Sequence, residues 1–317
     1  MQIRIVVSIF VVLLLISTAL YVVNGTNGQE IGKKSAIVWM GLELTNENIT
    51  VDLSSISAHR SDLTGVSYEH YMVDSTGDLI ALFPITNVTG KIQSFGLNTF
   101  PMIISDNLND IIFLLNHPSR FITEAVQQAE EFDYTGYNID FEPAQSANDT
   151  VALEYSQFLT SFANALHSSG FELTVDIASW NTFWNFQYLN NTTVNILYDM
   201  DTYDSPAINY GIAFQNGISQ ISLSKIGIGL ITVNVNNNSV LNSSSVGSRF
   251  KYLEYYNATN VAIWDMPLNG YWWTDLSQFL HGENTGKMIY NYALALLLIV
   301  AVALVLSYYF TKRSKKK

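Results

Sequence analysis

The stretch Tyr134-Thr135-Gly136-Tyr137-Asn138-Ile139-Asp140-Phe141-Glu142-Pro143 alternates polar and apolar side chains along its length. A period of two is the mark of a strand with two chemically different faces. Tyr137, Ile139 and Phe141 share one face, and Asn138, Asp140 and Glu142 share the other, with neighbours on a face about 7 Å apart. Burying an ionised carboxylate without a partner is costly, so two carboxyls on one face of an otherwise apolar strand point to a chemical use. The competing reading is a half-exposed strand at a sheet edge. Tyr137, Ile139 and Phe141 beside Gly136 read instead as a central strand, which Pro143 terminates.

Seven further apolar, strand-like runs accompany this one: Ala36 to Leu44, Leu63 to Val73, Asn98 to Ile104, Glu172 to Ala178, Val194 to Tyr203, Lys225 to Ile231 and Asn260 to Met266. Helical patterns separate several of them. One runs from Pro118 to Phe132, and another from Val151 to Ser168 with Leu153, Phe158, Leu159, Phe162, Ala163 and Leu166 on its apolar face. Alternating strands and helices predict parallel pairing with right-handed crossovers, and eight strands is the count a (β/α)₈ TIM barrel requires. Asp74 to Gln93 is less helical and is expected to hold a hairpin insertion. Asn234 to Ser248, rich in Asn and Ser, reads as a long surface loop.

The signature stretch resembles that of glycoside hydrolase family 18, in which a glycine-led strand carries Asp, Asp and Glu at alternate positions. Here Thr135 stands at the outermost Asp and Asn138 at the middle one, while Asp140 and Glu142 are kept. The resemblance extends through Phe100 to Asn107, then Leu114, Leu115 and Arg120, then Tyr155, Phe158, Leu159, Leu166 and His167. That pattern is similar to the branch containing spore-germination and cortex-lytic hydrolases. Ser105, Asp106 and Asn107 occupy the place of the Gly-Gly that often ends the third strand in chitinases.

The resemblance implies a β/α barrel whose Glu142, at the C-terminal end of its strand, is the catalytic acid. It implies substrate-assisted hydrolysis of β-linked N-acetylglucosamine glycans, in which the 2-acetamido oxygen attacks the anomeric carbon. Asp140 would then bond the acetamido N–H, and its charge with burial would keep Glu142 protonated. Asn138 would support this pair from below. Met200-Asp201-Thr202-Tyr203-Asp204 looks like the family's Met-x-Tyr-Asp element with one extra residue, which makes Tyr203 the holder of the acetamide carbonyl, with Asp204 beside it. Tyr198-Asp199 repeats the dipeptide and leaves Tyr198 as a competitor. Trp264 would floor the reacting sugar, since pyranose rings offer apolar faces to an indole. The alternative on the same scaffold is a non-catalytic, lectin-like or cell-envelope protein.

The ends of the chain set its address. Ile5 to Val23 is almost wholly apolar behind Arg4, so residues 1–23 read equally as a signal peptide or an uncleaved anchor, with a linker at 24–35 and the barrel at 36–280. Residues 288–310 are long and apolar enough for a C-terminal transmembrane helix, flanked by Tyr290, Tyr292, Tyr308 and Tyr309. The basic tail 311–317 should stay inside, which places the barrel outside a cell membrane as a single-pass or two-pass protein. Between these segments lie all 27 acidic residues against nine basic ones, a balance that excludes nucleic acid as a partner. The partners expected are an N-acetylglucosamine-containing glycan and the lipid bilayer. Nine Asn-x-Ser/Thr sequons agree with an exported surface. The chain has no cysteine, and its five histidines are scattered without paired spacing, so no cofactor and no metal is expected.

Overall fold

The computed structural model describes residues 33–42, 46–83, 86–203 and 207–282. The segments 1–23 and 288–310, the tail 311–317 and Asp204 lie outside them. Among the described residues no helix is long and apolar enough to cross a membrane.

The strands are β1 (Ser35–Met40), β2 (Gly65–Val73), β3 (Leu79–Ala81), β4 (Asn98–Ser105), β5 (Gly136–Phe141), β6 (Glu172–Ile177), β7 (Ile196–Asp199), β8 (Ile226–Ile231) and β9 (Asn260–Trp264). The helices between them are α1 (Asn46–Ala58), α2 (Thr86–Ser94), α3 (Leu108–Asn116), α4 (Pro118–Phe132), α5 (Asp149–Ser168), α6 (Phe186–Asn190), α7 (Ala207–Gln220), α8 (Ser243–Tyr256) and α9 (Gly270–His281). Strand order is β1-β9-β8-β7-β6-β5-β4-β2, closed by a β1–β2 pairing. Every pair in this ring is parallel, and β3 alone runs antiparallel, as a hairpin on β2. The eight apolar runs of the sequence are thus the eight staves of a closed barrel, and the expected hairpin is the β2–β3 turn.

Closure divides each strand's residues between two environments. Outward-facing Tyr137, Ile139 and Phe141 pack with the helices in the main core, alongside Phe158, Leu159, Phe162 and Leu166 of α5. Inside the barrel, Ile37, Trp39, Met102, Tyr198 and Ala262 form a separate, smaller cluster. The buried face of α5 begins earlier than its apolar pattern suggests. Val151, Ala152, Tyr155 and Ser156 are buried, whereas Leu153 is 40% exposed, because at 3.6 residues per turn it lies on the opposite side from Tyr155. The segment read as a loop from Asn234 to Ser248 is shorter than expected. Asn242 caps α8 by accepting a hydrogen bond from the Ser245 amide, so the Ser-rich run 243–245 is a first helical turn.

Two glycines are explained by close approach. A Cβ on Gly136 would lie 2.0 Å from the Glu172 carbonyl oxygen, so only glycine lets β5 enter its pairing with β6. One on Gly227 would lie 2.2 Å from the Tyr198 ring, which fills the barrel interior over β8.

Candidate active site

A cleft of about 450 Å³ opens at the C-terminal end of the strands. Trp39, Asp140, Glu142, Asp176, Tyr203 and Trp264 contribute to its walls, together with Glu69, Met72, Met102, Ser105, Asp106, Asp110 and Met200. Backbone bonds hold Glu142 in place. Its amide donates to the Ser105 carbonyl at 2.8 Å, and the amide of Ala144 donates to the Asp106 carbonyl at 3.2 Å. Asn181 then fastens the following loop, its Nδ2 donating to the carbonyls of Pro143 at 2.8 Å and Gln145 at 3.0 Å.

Beneath Glu142 the inner faces of β5 and β6 bring Asp140 and Asp176 together. The two strands pair with Asn138 opposite Thr174 and Ile139 opposite Val175, which carries the next inward positions into register. Asn138 does not line the cleft. It is fully buried, its Oδ1 accepting from Trp39 Nε1 and Ser67 Oγ, both at 3.0 Å, while its Nδ2 donates to Asp176 Oδ1 at 3.0 Å. The amide is therefore fixed in orientation, and it holds Asp176 rather than facing solvent.

Burial, followed by the charges of Asp176, Glu142 and Glu69, pushes the Asp140 carboxyl well above its ordinary range. Asp176 moves in the same direction, again chiefly through burial, with the Asn138 amide opposing the rise. Glu142 is also raised, by partial burial against the cleft wall. Asp140 and Glu142 share a side-chain hydrogen bond. Burial, which the sequence-based expectation named beside the Asp140 charge, is the first cause of the rise at Glu142. Three carboxyls this close in a partly dry site cannot all ionise. Asp140 Oδ1 is sealed from solvent and has no hydrogen-bond partner.

The two candidate tyrosines separate cleanly. Strand β7 ends at Asp199, and a 3₁₀ turn over Asp201–Tyr203, locked by the Tyr203 amide on the Met200 carbonyl at 2.9 Å, swings Tyr203 into the cleft. Burial, then Asp176, Asp140 and Glu142, raise its phenol, so it remains a neutral donor. Tyr198 is buried deeper in the barrel, edge-on to Trp39 at 5.6 Å, with its hydroxyl turned toward Ser35 at the far end. It does not line the cleft. Trp264 does, at the end of β9 and across from Glu142's strand.

Asp176 was not assigned to the site from the sequence, though Thr174 and Asp176 alternate with Leu173, Val175 and Ile177 as Asn138 and Asp140 do in β5. Among the described residues no group of three or more His, Cys, Asp or Glu is arranged to hold a metal ion.

No protein-family model and no curated protein sequence matches the chain. Solved structures do. A chitinase from Chromobacterium violaceum superposes with a TM-score of 0.66 at 12% identity, covering 79% of this chain and 100% of that one. The spore cortex-lytic enzyme SleL of Bacillus megaterium gives 0.66 at 14% identity, covering 77% of this chain and 73% of that one. The GH18 chitinase ChiB of Flavobacterium johnsoniae gives 0.61 at 13%, covering 78% and 94%. At these identities the likeness is one of fold, the barrel being that of family 18 chitinases.

The Asn138 network makes a stability prediction. Asn138→Asp replaces the amide donor to Asp176 with another carboxyl, which burial forces above its unfolded pKa. The variant should lose about 1–3 kcal/mol at pH 7. A raised acid penalises the fold only above its unfolded pKa, so the gap to wild type should narrow as pH falls toward 4. Thermal unfolding at both pH values checks this; a gap that stays constant with pH removes the titration argument.

Proposed function

We propose that the chain is a retaining glycoside hydrolase cleaving β-linked N-acetylglucosamine-containing glycans by substrate assistance. One observation carries the reading. At the C-terminal end of the barrel Asp140 and Glu142, which share a side-chain hydrogen bond, line a cleft walled by Tyr203 and Trp264, and Asp140 Oδ1 lacks a hydrogen-bond donor. An acetamido N–H is such a donor. Glu142 protonates the leaving glycosidic oxygen, the acetamide oxygen attacks the anomeric carbon, and Tyr203 donates to that oxygen to hold it in line. Glu142, now ionised, takes a proton from the water that opens the cyclic intermediate. Trp264 supplies the apolar floor.

Substrate binding also sets the protons. A hydrogen bond to Asp140 Oδ1 favours its ionised form, so its proton passes along the shared bond to Glu142. The charge left on Asp140 then opposes ionisation of Glu142, the state required of a general acid.

The barrel is proposed to face outward from a cell membrane, held by the apolar segment 288–310 with the basic tail inside.

Glu142→Gln should reduce turnover of N-acetylglucosamine oligomers by at least ~10²-fold while oligomer binding survives. Equal turnover would show that Glu142 is not the acid. A wild-type protein that binds oligomers without cleaving them would make this a lectin-like barrel.

Asp140→Asn should lower kcat and move the basic limb of its pH profile downward. The limb in kcat reports the substrate complex, where a neutral amide no longer opposes ionisation of Glu142, so the acid loses its proton at lower pH. A reduced kcat with an unmoved limb would confine Asp140 to positioning the acetamide.

For topology, protease added to intact cells should release the barrel and leave a tag after Lys317 protected. Antibody reaching that tag on unpermeabilised cells would overturn the orientation.

A further inference from the structure

The cleft chemistry makes no use of the Asn-x-Ser/Thr sequons, and the barrel places them in unlike settings. Asn148 precedes α5, while Asn237 and Asn242 lie between β8 and α8. In a β/α barrel such loops leave the C-terminal ends of the strands, so all three asparagines stand at the cleft end. Each is exposed, and so is the hydroxyl residue two places on: Thr150, Ser239 and Ser244 respectively.

Each of the three gives the fold only its amide oxygen. Asn148 Oδ1 accepts from the Val151 amide at 3.0 Å and Asn242 Oδ1 from the Ser245 amide at 2.9 Å, both as helix caps. Asn237 Oδ1 accepts from the Ser239 amide at 3.0 Å and the Ser239 hydroxyl at 2.7 Å, within a small hairpin closed by the Val233–Val240 bridge. Among the described residues none of the three Nδ2 groups serves as a donor. Nδ2 is the atom that carries an N-linked sugar, so a glycan at any of these positions leaves the capping bonds intact. A bulky, hydrated chain also needs an exposed site of this kind.

Asn190 and Asn191, between the end of α6 and the start of β7, are the contrast. Asn191 Nδ2 donates to the Gln187 carbonyl at 2.9 Å, a contact that a sugar on that nitrogen would crowd. Asn190 Oδ1 accepts from the Ser222 amide at 3.2 Å. The hydroxyl of its sequon belongs to Thr192, which is buried, donates to the Leu189 carbonyl at 2.7 Å and accepts from the Lys225 ammonium at 3.0 Å.

We propose that Asn148, Asn237 and Asn242 carry N-linked glycans at the cleft end of the barrel, and that Asn190 and Asn191 stay bare. The inference rests on the outward placement of the barrel and is independent of the glycosidase chemistry. In the transfer, Nδ2 attacks the anomeric carbon of a lipid-phosphate-linked oligosaccharide. The N–C bond forms as the C–O bond to phosphate breaks, the lipid phosphate leaves with the electron pair, and the amide gives up one proton.

The test takes the full chain from the cells in which it is naturally made, together with the barrel that protease releases from those cells while intact. Chymotrypsin, cutting at Phe141, Tyr155, Phe186 and Tyr198, separates Asn148 from Asn190 and Asn191 for mass spectrometry. Thr150→Ala, Ser239→Ala and Ser244→Ala each remove one sequon and keep its asparagine. Peptides bearing Asn148, Asn237 and Asn242 should run above their sequence mass by a series of sugar residues, those bearing Asn190 and Asn191 should run at it, and each variant should lose one addition. Sequence mass at all three positions in the released barrel overturns the glycans and leaves the outward orientation standing. Sequence mass in a barrel that protease cannot release sinks both. Sugar on Asn190 or Asn191 at the occupancy of the other three overturns the structural selection.

Discussion

Everything at the cleft end of this barrel depends on one electrostatic constraint: burial raises the carboxyls of Asp140, Asp176 and Glu142 together. A fold tolerates such a cluster only where the geometry is held from outside. Here the holding is done by the barrel itself. The parallel register of β4, β5 and β6 sets the depth of each acid, and hydrogen bonds to loop carbonyls fix the strand ends. Glycine at position 136 permits the β5–β6 approach that brings Asp140 and Asp176 side by side. A site with shared protons therefore rests on a backbone contact at the other end of the same strand.

What the sequence displayed was periodicity. Alternation in β5 was enough to separate the face of Asp140 and Glu142 from that of Ile139 and Phe141, and the structure keeps that separation, with the apolar face in the helix-packed core. The spacing of eight apolar runs gave the barrel. Relations between strands were not legible, because register is set by closure and not by any local pattern. Asp176 belongs with Asp140 only once β6 is aligned against β5. Likewise, nothing in Val194 to Tyr203 shows that the strand stops at Asp199. The 3₁₀ turn that follows is what sends Tyr203 to the cleft and leaves Tyr198 in the barrel centre over Gly227. The exposed Leu153 has a simpler cause: an apolar residue was assigned to the buried face by composition, while the helix phase put it outside.

The absence of cysteine leaves the barrel to hold itself by packing and polar anchoring alone. Its aromatic residues carry much of this, in contacts such as Tyr71 with Tyr137 and Phe121 with Phe162. Lys225 shows the polar counterpart. Its ammonium is buried, yet it donates to the carbonyls of Leu189, Asn190 and Thr192, closing the C-terminal end of α6 against the start of β8. Such anchors lie at the end of the barrel away from the cleft. This division lets the cleft end carry unsatisfied groups, including Asp140 Oδ1, without loosening the whole.

The departure at Asn138 follows from the same constraint. An Asp in that place would add another titrating group to a cluster already short of protons, and its bond to Asp176 would depend on which of the two held one. The amide removes that choice. Trp39 and Ser67 occupy its oxygen, so its Nδ2 must face Asp176 at every pH, which favours the ionised form of Asp176. Asp140 and Glu142 are linked directly, and Asp140 Oδ1 has no hydrogen-bond partner. The fixed amide thus holds Asp176 in place beneath a pair of carboxyls that the barrel sets at the cleft.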